Sequence, residues 1–196
     1  MAVRTPGSAG QDPAALIGVD AVDGALQATD GFSDAALRDL AARLQEACLA
    51  GGVTVAVAES CTGGLLAATI TSVPGSSGYF PGGFVSYADE AKVALLDVDR
   101  ALIVAHGAVS AQVAVSMAAG ARNRLTTSVA VSITGIAGPG GGSDEKPVGL
   151  TYLGLATDAG GDVRRFHWSG DRAANRAASV QAALSWLLEW AAARRP

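Results

Sequence analysis

Lysine, histidine, cysteine and methionine are scarce in this chain, with two of each among 196 residues. Aromatic residues make up 5% and charged residues 16%. With so few histidines and cysteines, no cluster of His, Cys and acids falls at metal-ligand spacing, and no metal or other cofactor is expected. Cys48 and Cys61 cannot build a disulfide framework, so free thiols in a reducing compartment are expected. No basic stripe is present and the formal net charge is −4, which argues against nucleic acid and anionic membrane as partners. No run approaches the roughly 18 uncharged apolar residues of a membrane span. The opening Met-Ala-Val-Arg-Thr-Pro-Gly has no apolar signal core, so a cytoplasmic location is expected.

What is present is a chain 49% hydrophobic, long enough for one domain with a real core. Residues 1–32 are rich in Ala, Gly and Asp without sustained periodicity, and are read as a flexible extension. Residues 33–196 are read as the domain. Ser33 is a plausible N-cap, followed by Leu37, Leu40, Leu44 and Cys48 at helical spacing and a stop at Gly51-Gly52. Thereafter strands and helices alternate. Val53–Ala58 reads as a buried strand, 63–73 as a helix, 83–87 as a second strand and 89–96 as a helix. Ser110 caps a helix carrying Val113, Met117 and Ala121, and 127–134 is a third strand. Residues 148–157 and 162–169 flank Asp158-Ala-Gly-Gly161 as a hairpin, and Ala177, Val180, Leu184 and Leu187 mark a last helix. The pattern predicts a three-layer α/β/α sandwich with a mixed, mostly parallel sheet.

Three stretches carry chemistry. In "AESCTGG", residues 58–64, a strand end meets a helix start near Thr62. There the N–H groups of Thr62, Gly63 and Gly64 can point at the Ser60 hydroxyl. Such donors bind a phosphate, or stabilise an oxyanion when Ser60 attacks a carbonyl. Capping by Ser60 or Thr62 is the commoner use of such residues. Ala58 replaces the first glycine of a G-x-S-x-G elbow, so the turn is not that motif. His106, before Gly107, and His167, on a strand with Arg165 and Ser169, do not sit where a triad partner would.

The two lysines stand out against 12 arginines. A desolvated lysine can lose its proton and act as a base, whereas arginine stays charged. Lys92 follows Tyr87 by five residues in "SYADEAK", where it can instead be a solvated residue paired with Asp89. Lys146 lies in "GGGSDEKPVG", and whether it reaches a site is open. Third, "TGIAGPGGG", residues 134–142, follows a strand, where glycines allow close approach to a ligand. It is neither a Walker A loop nor a dinucleotide fingerprint.

Together, "VAVAESCTGG", "GSSGYFPGGFVSYADEAK", "HGAVS", "SITGIAGPGGGSDEKPVG" and "SGDR" resemble the CinA C-terminal domain family in order and spacing, from Ser33 to Trp190. The resemblance implies a three-layer α/β/α fold. It also implies an amidohydrolase that converts nicotinamide mononucleotide to nicotinate mononucleotide and ammonia without a metal. By the same resemblance Ser60 is the nucleophile, Lys92 its base and Tyr87 the group that bridges or orients them. The oxyanion falls to the N–H groups of Thr62 and Gly63. Gly64, Thr134, Gly135, Ala137 and Gly138 shape the substrate pocket, and Arg172 is the candidate for the phosphate. Glu59 and Cys61 are read as structural, with Cys61 packed inward. A small-molecule substrate and a homo-oligomer are expected. Full-length members carry an N-terminal domain similar to molybdopterin-binding proteins; only about 32 residues precede Ser33 here, so its pyrophosphatase activity is not expected. Two other classes stay open: a non-catalytic nucleotide-binding accessory protein, and an amidase or esterase of another small substrate.

Overall fold

The computed structural model describes residues 34–194. The expected flexible segment 1–32 and the Ser33 cap lie outside the described residues. Among the described residues, six α-helices and five strands follow in the order α1 (Asp34–Gly51), β1 (Val55–Glu59), α2 (Leu65–Thr71), β2 (Gly82–Val85), α3 (Asp89–Leu96), α4 (Arg100–His106), α5 (Ala111–Leu125), β3 (Val129–Gly135), β4 (Leu150–Thr157), β5 (Gly160–His167) and α6 (Arg172–Ala192), with a 3-10 turn at Ser76–Gly78 between α2 and β2. The sheet order is β2-β1-β3-β4-β5. β1 pairs in parallel with β2 and β3, while β4 is antiparallel to β3 and to β5. Four of the five strands therefore run one way and β4 opposes them.

Alternation along the strands decides the layers. Val55 and Val57 of β1, with Val129, Val131 and Ile133 of β3, face Leu44, Leu66, Ile70, Leu184 and Leu187 of α1, α2 and α6. Ala56, Ala58 and Ala130 face the other way, onto Leu96, Val113, Met117 and Ala121 of α3 and α5. Each buried Val or Leu contributes about 1.5–3 kcal/mol of transfer free energy. The small alanines on the second face let α5 lie close. At Gly154 of β4 a side chain would collide with the Ala114 carbonyl. The result is the expected three-layer sandwich.

Several boundaries differ from the sequence reading. α2 begins at Leu65, two residues later than expected, because Gly63 and Gly64 take φ of 60° and 94°, outside the helical region. α4 is an additional short helix. Among the described residues, no helix is long and apolar enough to cross a membrane. Cys48 and Cys61 are both free and buried.

Candidate active site

The connections from β1 and β2 leave the sheet on opposite faces. β1 runs into α2 on the face of Val57, and β2 into α3 on the face of Ala58. A crevice opens between such diverging strand ends, and it is here that α/β sheets bind ligands. A cleft of about 280 Å³ fills it, and its lining includes Ser60 and Cys61 after β1, Tyr87, Asp89 and Lys92 after β2, and residues 134–138 at and after β3. Ala108 and Val109, from the connection between α4 and α5, and Arg172, the first residue of α6, complete its wall.

Ser60 is 8% exposed, and its N–H donates to the Ile133 carbonyl at 2.9 Å. That bond extends the β1–β3 pairing one residue past the strand and fixes where the serine leaves the sheet. The donors expected to face its hydroxyl are arranged differently. The Gly64 N–H donates to Glu59 Oε2 at 3.0 Å, and those of Leu66 and Ala67 to the same carboxylate at 3.1 and 2.8 Å. The Gly63 N–H donates to the Ser60 carbonyl at 3.0 Å. Thr62, Gly63 and Gly64 lie outside the cleft lining, while Cys61 is part of it. The physical reason is Glu59, fully buried at the end of β1 on the α2 side. Its carboxylate needs several donors to be tolerated there, and the unpaired start of α2 supplies them.

Lys92 is 1% exposed. Its ammonium donates to the Ser86 and Tyr87 carbonyls at 3.1 and 3.2 Å and lies 3.6 Å from Asp89 Oδ1. It makes no direct hydrogen bond to the Ser60 hydroxyl among the described residues. Burial holds its pKa below the ordinary lysine value, and the neighbouring Asp89 carboxylate opposes that shift. The residue is thus both desolvated and paired, where the sequence reading had these as alternatives. Ser86 in turn donates its N–H to the Glu59 carbonyl at 2.8 Å, which ties the lysine's anchor to the β1 end. Burial pushes the Cys61 thiol up to about 11, so it stays protonated near neutrality.

Tyr87 is 59% exposed, and its phenol oxygen accepts from Arg172 Nη2 at 3.2 Å. Arg172 Nη1 donates to the Gly138 carbonyl at 2.9 Å, so its guanidinium closes one rim of the cleft. Tyr87 thereby meets Arg172 and does not bridge Ser60 and Lys92. The Thr134 hydroxyl donates to the Ala108 carbonyl at 2.8 Å and braces the β3 end. Lys146 is directed elsewhere, with Nζ 2.5 Å from the His106 carbonyl at the end of α4. His106 and His167 also lie outside the lining.

Two polar residues of the first turns of α6 were missed. Asn175, 2% exposed, donates to the Ala137 carbonyl at 3.1 Å and accepts from the Gly170 N–H at 3.0 Å. Arg176 donates from Nε and Nη2 to the Thr62 carbonyl at 3.2 and 2.6 Å. Their signal was legible: Arg172, Asn175 and Arg176 stand at i, i+3 and i+4, one face of a helix start.

Residues 37–191 match the family model of the CinA C-terminal domain. The chain belongs to that family. It is 54% identical over 136 residues to a CinA-like protein of Geobacter sulfurreducens, covering 69% of this chain and 33% of that protein. A CinA-like protein of Chlorobium luteolum is 51% identical over 149 residues, covering 74% and 34% respectively. The chain thus spans about a third of the length of these relatives. Among solved structures, the competence/damage inducible protein CihA of Agrobacterium tumefaciens superposes with a TM-score of 0.77 at 41% identity, covering 80% of this chain and 95% of that one. A CinA superfamily protein of Escherichia coli gives 0.76 at 32% identity, covering 79% and 90%. The CinA fold of these neighbours is the sandwich described above.

Proposed function

We propose that this CinA-family domain hydrolyses the carboxamide of nicotinamide mononucleotide, giving nicotinate mononucleotide and ammonia through Ser60 and Lys92. The observation that carries the reading is that a serine at the end of β1 and a buried lysine with a disfavoured charge open into one cleft. Neutral Lys92 takes the Ser60 proton as the hydroxyl oxygen attacks the carboxamide carbon. The tetrahedral intermediate collapses with the C–N bond breaking, and Lys92 returns the proton to the departing ammonia. A water molecule, deprotonated by the same lysine, then attacks the acyl-serine; nicotinate mononucleotide leaves and Ser60 is restored. Neutral Lys92 keeps two N–H donors for the Ser86 and Tyr87 carbonyls, which leaves its lone pair to accept from the Ser60 hydroxyl, a contact that substrate binding must bring within reach. Arg172 at the rim suits the nucleotide phosphate, which a planar guanidinium can bind with two parallel donors.

A second reading is favoured by the hydrogen bonds of Lys92 themselves. An ammonium held by two carbonyls and Asp89 is a fixed cation, suited to an accessory module that binds a nucleotide without chemistry. Ammonia release from nicotinamide mononucleotide, compared with other small amides, separates the two. The catalytic reading expects release by the wild type and none by Ser60→Ala, with the melting temperature nearly unchanged. Turnover by Ser60→Ala defeats it, and turnover of the other amides alone shifts the substrate.

A further inference from the structure

The face of α6 that reaches the cleft grips two separate loops. Arg172 and Asn175 hold consecutive carbonyls of the glycine-rich loop, Gly138 and Ala137, while Arg176 holds Thr62 in the serine turn. Arg176 is absent from the cleft lining and half-buried, so substrate contact does not explain it. Its two donors converge on one carbonyl oxygen. The peptide group to which that oxygen belongs presents, on its opposite side, the Gly63 N–H that donates to the Ser60 carbonyl. A chain of hydrogen bonds therefore runs from the Arg176 guanidinium through the 62–63 peptide to residue 60. A cation on the carbonyl polarises the peptide and strengthens the N–H donor at its other end.

The need for such a brace follows from the turn. Gly63 and Gly64 lie at positive φ, and glycine loses more conformational freedom on folding than any other residue. Glu59 secures the α2 side through Gly64, Leu66 and Ala67, and Ile133 secures the Ser60 N–H. Without Arg176, the 62–63 peptide keeps only the Leu65 N–H on its carbonyl, at 3.3 Å. We propose that Arg176 is a positioning residue for the nucleophile, orienting the 62–63 peptide so that Ser60 is held in attacking geometry. This rests on Ser60 being the nucleophile.

The test is the second-order rate at which a fluorophosphonate probe labels Ser60 in the full chain, located by peptide mass spectrometry. Wild type, Ser60→Ala, Arg176→Ala and Arg176→Lys are compared, each with its thermal midpoint. The wild type is labelled and Ser60→Ala is not. Because a misplacement of roughly 1 Å can cost about 10²-fold, Arg176→Ala is expected to label about 10²-fold more slowly. Arg176→Lys, with one ammonium on the same carbonyl, falls between the two. With nicotinamide mononucleotide the loss appears in kcat with KM kept, since Arg176 does not line the cleft. Labelling of Arg176→Ala at the wild-type rate overturns the proposal and leaves the nucleophile standing. A fall in labelling that tracks the fall in thermal midpoint equally in both Arg176 variants also overturns it. No labelling of the wild type at Ser60 overturns the nucleophile and the proposal together.

Discussion

Glu59 allows a perturbation whose size can be worked out in advance. Its carboxylate accepts three backbone N–H groups at the start of α2, two on Oε2 and one on Oε1. Gly64, the N-cap of that helix, offers no side chain for the task. Glu59→Gln keeps the shape but converts one oxygen to an NH2 that faces a backbone N–H. At least one bond is lost, one donor is left buried opposite another donor, and the negative charge at the helix start disappears. Hydrogen bonds to charged groups contribute about 1.5–3 kcal/mol each, so the substitution is expected to cost about 3 kcal/mol. At roughly 2–4 °C per kcal/mol for a domain of this size, the thermal midpoint falls by about 6–12 °C. Differential scanning calorimetry on the full chain measures it, with circular dichroism confirming that the fold is retained at 20 °C. A midpoint within about 2 °C of wild type refutes the argument, because it would mean that solvent satisfies these donors equally well.

If neutral Lys92 is the base, kcat/KM rises with pH through a midpoint below the ordinary lysine value of about 10.4, since burial disfavours the ammonium. A pH profile flat from 6 to 10 removes Lys92 from that role. Lys92→Arg keeps charge and bulk but cannot lose a proton at accessible pH, so it is expected to be nearly as inactive as Lys92→Ala with nucleotide binding kept; substantial turnover by Lys92→Arg assigns position 92 to charge alone. Activity is expected to survive exhaustive EDTA treatment, because no group of three or more His, Cys, Asp or Glu among the described residues is placed to hold a metal. Loss on chelation, restored by one divalent ion, contradicts the serine–lysine route.

Much of the layer order was readable because alternation and apolar spacing are written directly into β1, β3 and α6. What escaped has identifiable causes. α4 is seven residues long and apolar without a break from Ala101 to Ala105, so periodicity shows no polar face to mark it as a helix, although Leu102 and Ile103 pack against the core. The start of α2 was misplaced because its cap is supplied by Glu59, from inside the preceding strand, while a local reading looks for Ser or Thr at the boundary. Lys92 was singled out by its rarity and by the family resemblance. Its burial depends on carbonyls of Ser86 and Tyr87 that only the fold brings within reach. The role of Arg176 is not local: the Thr62 carbonyl it holds lies 114 positions away in the chain.

The site joins residues that the sheet holds on diverging connections, and this explains why its parts are so differently supported. Ser60 leaves β1 toward α2, and Lys92 returns from α3 on the opposite face, so no helix carries both. The two connections are tied at the sheet itself, where the Ser86 N–H donates to the Glu59 carbonyl one residue past the β1–β2 register. Ser86 then offers its own carbonyl to Lys92. A single residue thus connects the strand that presents the serine to the side chain that would take its proton. β2 is an edge strand only four residues long, paired on one side alone, with β1. A shift of that edge would move Lys92 relative to Ser60, whose N–H is held on the central β1–β3 pair. If Lys92 is the base, it is the adjustable partner in this cleft: its two N–H groups stay on the Ser86 and Tyr87 carbonyls, and substrate binding must bring its lone pair to the serine hydroxyl.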